Sequence, residues 1–154
     1  MPPRIDILAV GTLDTHLRPA FEHYRRLLAG VVTLEVREVR ELSLKGRTPA
    51  EVLRGEGRRV LDALPARGTV VALDAPGRAF DSETFAERLQ GWLERPPVTF
   101  VIGGSLGLAP AVKEACGERL SLSPLTLPHQ LARLVLAEQL YRACKIARHE
   151  RYHH

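Results

Sequence analysis

Val98-Thr-Phe-Val-Ile102 runs directly into Gly103-Gly104-Ser105-Leu106-Gly107, and Leu120-Ser-Leu-Ser123 runs into Pro124-Leu125-Thr126-Leu127-Pro128-His129. Each is a short apolar run of strand type that opens into a constrained backbone, set by glycine in the first and by proline in the second. Reading outward, Arg4-Ile-Asp-Ile-Leu-Ala-Val10 is a further buried strand closed by Gly11. Residues 32–39 alternate well enough to be another, and Thr69-Val-Val-Ala-Leu73 is a third, ending at Asp74-Ala-Pro-Gly77. Helices fall between them. Leu17, Phe21, Tyr24 and Leu28 share one face of a helix over 15–29. Thr48-Pro49-Ala50-Glu51 is a capping box with proline at the first helical position, opening a helix that runs to Leu64. Asp81 or Ser82 caps a helix that buries Phe85, Leu89, Trp92 and Leu93. Residues 110–116 and 130–148 complete the helices, with the final strand at 120–123.

Strand and helix thus alternate five times, which predicts an α/β fold of one domain over residues 1–154. Its sheet should be mostly parallel, with helices on both faces. Ligands of such sheets bind at the carboxyl ends of the strands. The loops after Leu73, Ile102 and Ser123 all lie at such ends.

The chain has 154 residues, of which 45 % are apolar, enough to bury a core without disulfide or metal. No run is long enough to span a membrane, and the N-terminus lacks the pattern of a secretion signal, so the expected location is the cytoplasm. Cys116 and Cys144 are expected as free thiols, neither in a nucleophile motif. The formal charge is +4. From His129 onward, Arg133, Arg142, Lys145, Arg148 and Arg151 stand against Glu138 and Glu150, so three of the excess positive charges sit in this last segment. Glu138, Arg142, Lys145 and His149 form one stripe of the last helix, while Leu136, Leu140, Ala143 and Ala147 form the opposite one. A charged face and tail of this kind suit a phosphate-rich partner; the alternative is internal pairing of Glu138 with Arg142 and Lys145 on a solvated surface.

The Gly103–Gly107 spacing is not that of a dinucleotide-binding turn, since it follows the fourth strand and no acidic residue stands ready for a ribose. The Leu-rich run between Pro124 and Pro128 is stiff and apolar, suited to surrounding an adenine while backbone groups read its polar edge. His149, His153 and His154 have no carboxylate or cysteine to complete a metal shell, and no metal is expected. Two constrained loops followed by a basic helix point to an enzyme that holds a small cofactor and acts on nucleic acid. A non-catalytic ribosome-binding factor and a nucleotide-dependent enzyme using Gly103–Gly107 are the alternatives.

Taken in order, Ile7-Leu-Ala-Val-Gly11, Val71-Ala-Leu-Asp74 with Gly77, Ile102-Gly-Gly-Ser-x-Gly107, Leu122-Ser-x-Leu-Thr-Leu-Pro-His129, Glu138-Gln-x-Tyr-Arg142-Ala and Tyr152-His153 resemble one family over almost the whole chain. It is the SPOUT-class family of bacterial 23S ribosomal RNA pseudouridine N3-methyltransferases. The resemblance implies a C-terminal trefoil knot, a homodimer with each site at the subunit interface, and activity on assembled ribosomes. It implies S-adenosylmethionine as cofactor, held by Leu73, Gly103, Leu122, Ser123, Pro124, Leu125, Thr126 and Leu127. It also implies catalytic roles for Arg142, Tyr152 and His153. Arg142 would stabilise charge on the uracil carbonyls, and His153, His129 or Tyr152 would take the N3 proton. His154 stands where the family pattern leads one to expect Lys or Arg.

Overall fold

The computed structural model of the chain describes residues 1–152; the expectations placed on His153 and His154 lie outside the described residues. Five strands and five helices alternate: β1 Arg4–Val10, α1 Arg18–Leu28, β2 Thr33–Val39, α2 Pro49–Ala63, β3 Thr69–Ala79, α3 Ser82–Leu93, β4 Val98–Ile102, α4 Pro110–Ala115, β5 Glu118–Ser121 and α5 His129–Ala147. The strands form one sheet in the order β2-β1-β4-β3-β5, and every pairing is parallel.

The two-residue period of the strands sorts the core into two layers. Ile5, Ile7 and Ala9 of β1, with Phe100 and Ile102 of β4, pack with α1, α3 and α5. Leu8 and Val10, with Val101 of β4, pack with α2 and α4 on the other face. The central strands are therefore apolar on both sides, as a sheet covered by helices requires. α5 lies between α1 and α3. It buries Leu136, Leu140 and Ala143 as the sequence periodicity predicts, each worth roughly 1–3 kcal/mol according to size. Ala147, assigned to the same stripe, is only half-buried.

Three boundaries differ from expectation by two residues or more. α1 begins at Arg18, not at Thr15, because residues 14–17 form a turn closed by Leu17 N–H on the Asp14 carbonyl, and proline follows at the start of the helix. β5 occupies Glu118–Ser121, two residues earlier than predicted. Ser121 Oγ donates to the Ser123 carbonyl and Ser123 Oγ accepts from Leu125 N–H, which lifts the chain off the ladder. β3 does not end at Leu73 but continues to Ala79. Leu73 and Arg78 both pair with Leu120, so residues 74–77 bulge out between them. Gly77 allows this: a Cβ there would lie 2.8 Å from the Asp74 carbonyl oxygen and 3.1 Å from Arg119 backbone.

Candidate cofactor site and the end of the last helix

The three strand ends marked in the sequence converge on one cavity of about 430 Å³. The β3 bulge supplies Leu73, Asp74 and Ala75. The loop after β4 supplies Gly103, Gly104, Ser105 and Gly107. The run after β5 supplies Leu122, Ser123, Leu125, Thr126 and Leu127. Pro124 belongs to that run but does not line the cavity. The first turns of α5 close it with His129 and Ala132.

Glycine is obligatory at position 103, where a Cβ would stand 2.4 Å from Gly107 backbone. The loop thus folds on itself and turns bare peptide groups toward the cavity. Across from it, Leu125 is 76 % exposed, a large apolar side chain with nothing of its own chain covering it. At the wall, Asp74 is held by Lys113 of α4 at 3.1 Å. The sequence shows the carboxylate at a strand end but not its partner, 39 positions away.

α5 is anchored to the loop after β1. The Gln130 side chain donates to the Thr12 carbonyl and accepts from Asp14 N–H, both at 2.8 Å. Arg133, 2 % exposed, donates to the Gly11 carbonyl at 3.0 Å and to Glu38 at 2.5 Å. These contacts join positions more than 90 residues apart and left no local signal. They correct the reading of Arg133 as part of a solvent-facing cationic segment: it is an interior clamp.

The far end of α5 brings together two of the other predicted residues, Arg142 and Tyr152. Arg142 pairs with Glu138 at 2.9 Å and sits over the Tyr152 ring at 4.9 Å. Tyr152 donates its hydroxyl to the same carboxylate at 2.8 Å and packs edge-on against Tyr141. Burial, reinforced by the Glu138 carboxylate, pushes the Tyr152 phenol well above the ordinary range. At neutral pH Tyr152 is therefore held as a hydrogen-bond donor to Glu138, which weighs against the role of base among those expected of it.

Glu138 pairs with Arg142 as the internal reading of the stripe expected, but Lys145 turns to Glu150, which also receives Arg148. Much of the cationic excess of this segment is thus neutralised within the chain. Burial raises both thiols, Cys144 to about 11, which disfavours the thiolate of each at neutral pH. Among the described residues no three metal-ligating side chains stand together, and no helix is long and apolar enough to cross a membrane.

The predicted site is therefore split within one chain. Arg142 lies thirteen residues along α5 from His129 (129 to 142), about 20 Å at a rise of 1.5 Å per residue.

A family described as "Predicted SPOUT methyltransferase" matches residues 3–153. The chain belongs to the SPOUT methyltransferase family. Among related SPOUT proteins, one from Rubrobacter xylanophilus named "Ribosomal RNA large subunit methyltransferase H" is 49 % identical over 154 residues, covering 97 % of this chain and 98 % of the relative. One of the same name from Stenotrophomonas maltophilia is 44 % identical over 135 residues, covering 86 % of each. Among solved structures, a probable methyltransferase from Bordetella pertussis superposes with a TM-score of 0.56 at 18 % identity, covering 92 % of this chain and 96 % of that one. A probable methylase family protein from Haemophilus influenzae also gives 0.56, at 14 % identity over 97 % of this chain and 70 % of its own. These two structures share the fold of the SPOUT chain described here.

Proposed function

We propose that this SPOUT methyltransferase transfers the methyl group of S-adenosylmethionine to N3 of a pseudouridine in 23S ribosomal RNA. It acts on assembled ribosomes, in the cytoplasm, as a homodimer of single-domain chains that carry the family's C-terminal trefoil knot. The observation that carries this reading is the convergence of the three strand-end loops on one cavity, in a chain 49 % identical to a large-subunit rRNA methyltransferase.

The cavity fits the cofactor. Its volume is in the range of small-molecule sites. Leu73, Leu122, Leu125 and Leu127 offer apolar walls to an adenine, and the Gly103 loop offers backbone groups to its polar edges and to the ribose. When bound, S-adenosylmethionine supplies an electrophilic methyl group. The protein's part is position and field. Arg142 carries the charge that faces the uracil carbonyls as the N3 proton leaves. Tyr152, kept protonated, orients Arg142 through Glu138. The N3 proton then passes to an imidazole, either His129 at the cavity wall or His153 in the tail.

Because Arg142 stands ten residues, about 15 Å, along α5 from Ala132 at the cavity wall (132 to 142), one chain supplies the cofactor loops and the second supplies the α5 end and tail. A two-fold dimer brings one of each to both sites.

The test is to incubate the protein with methyl-labelled S-adenosylmethionine and ribosomes lacking the modification, then locate the label by nucleoside mass analysis. Label on N3 of a large-subunit pseudouridine is expected, together with little methylation of a short naked hairpin. Ribosome binding without label would instead identify a non-catalytic factor.

A further inference from the structure

The cations that the sequence placed at the end of the chain are largely spent within it: Arg133 on Glu38, Lys145 and Arg148 on Glu150. A different segment carries exposed cations that no carboxylate holds at ion-pair distance, Glu51 attracting Arg47 and Arg54 only from farther off. Arg37, Arg40, Lys45, Arg47, Arg54 and Arg58 are exposed. Among the described residues none of these six forms an ion pair with a carboxylate. The acids of the same segment are mostly committed. Glu38 holds Arg133, Glu56 is buried on Leu42 N–H, and Glu51 closes the capping box with Thr48.

Arg54 and Arg58 are a like-charged pair one turn apart, an arrangement that costs a few tenths of a kcal/mol in an isolated helix. Arg47, four residues before Glu51, adds to the same end of α2.

Placement matters as much as charge. In a parallel sheet the segment after β2 leaves from the same edge as the segments after β3, β4 and β5, which form the cavity. Contact confirms the neighbourhood. Glu56, bonded to Leu42 of the β2–α2 connection, reaches within 3.4 Å of where a Cβ on Gly104 would stand. At the next residue, Gly57 packs against Ala109, at the end of the Gly103 loop.

We infer that Lys45, Arg47 and Arg54, flanked by Arg40 and Arg58, form the surface that receives the sugar–phosphate backbone of the substrate RNA beside the target base. The inference rests on the proposed RNA substrate and assigns the anchoring of that RNA to the β2–α2 segment and not to α5. Phosphate contacts of this kind fix register without reading sequence.

Two triple variants of equal charge test it, each made in the full-length chain. K45A/R47A/R54A removes the surface. R26A/R67A/R95A removes three exposed cations from the opposite edge, where α1 ends and β3 and β4 begin. Affinity for assembled ribosomes is measured over a series of salt concentrations, and affinity for S-adenosylmethionine is measured separately. The first variant should lose at least about tenfold in ribosome affinity at physiological salt, and its log–log salt slope should fall by about 2 to 3, at roughly 0.7–0.9 per phosphate contact. Its cofactor affinity should match that of the wild type. The second should change ribosome binding much less. Equal losses in both variants, or none in either, would overturn the inference. Wild-type protein that binds ribosomes but transfers no methyl would defeat the proposed reaction, while the comparison of the two variants would still decide where RNA is held. Wild-type protein that binds no ribosomes would defeat both.

Discussion

Leu125 shows how a single side chain reports a missing neighbour. A leucine 76 % exposed beside a cavity stabilises nothing in its own chain, so its apolar area is available to a ligand. Leu125→Asp should raise the dissociation constant for S-adenosylmethionine about ten- to a hundredfold by calorimetry, from the roughly 1.5–3 kcal/mol that burying a leucine contributes. The melting temperature should stay as it is. Unchanged affinity would remove the Leu run from the cofactor site. Tyr152 makes the opposite point, because its hydroxyl is already engaged by Glu138. A phenol whose folded pKa is raised contributes stability that is fully present below the ordinary value of about 10 and is lost as pH rises through the folded value. Between about pH 6 and 9 it does not titrate, so Tyr152→Phe should lower the rate without altering the shape of the pH–rate profile. A lost alkaline limb in that variant would restore Tyr152 as the base. The sequence singled out both residues by composition and order. It misjudged Arg133 because nothing local shows that an arginine will meet Glu38, 95 positions away.

The end of α5 is decided at the scale of the element. His149 takes φ of +56°, its N–H bonds the Ile146 carbonyl, and Glu150 N–H bonds the Lys145 carbonyl. This is the double closure that usually places glycine where His149 stands. It turns the chain back so that Glu150 meets Lys145 and Tyr152 meets Tyr141. His149→Gly should relieve the left-handed strain and raise stability by about 1 kcal/mol, read as a higher urea midpoint at unchanged slope. A lower midpoint would show that the imidazole itself holds the turn. A helix ended in this way could not be foreseen from a histidine, and so the pairing of Lys145 with Glu150 was hidden too. β1 and β4 were legible to the residue because their runs are apolar on both faces and bounded by glycine or proline. The Thr48 capping box was legible because its whole mechanism lies within four residues. The continuation of β3 was not, since Asp74-Ala-Pro-Gly77 reads as a turn and becomes a bulge only when Leu120 is there to pair on both sides of it.

At the scale of the whole molecule, the sequence reached the parallel sheet with helices on both faces but not the order of its strands, which long-range pairing decides. The same holds for the distance between the cavity and Arg142, about 15 Å along α5 from Ala132. The central claim is that two chains complete each site, and subunit mixing tests it most directly. Leu125→Asp weakens the cofactor loops and Arg142→Ala disables the far end of α5, so at S-adenosylmethionine concentrations near the wild-type dissociation constant each variant alone should transfer almost no methyl to ribosomes. Unfolded together and refolded at equal concentrations, half of the dimers pair one of each. Each such dimer carries one intact site, so about a quarter of wild-type activity should return. Activity that stays at the level of the separate variants would contradict the shared site and return catalysis to a single chain.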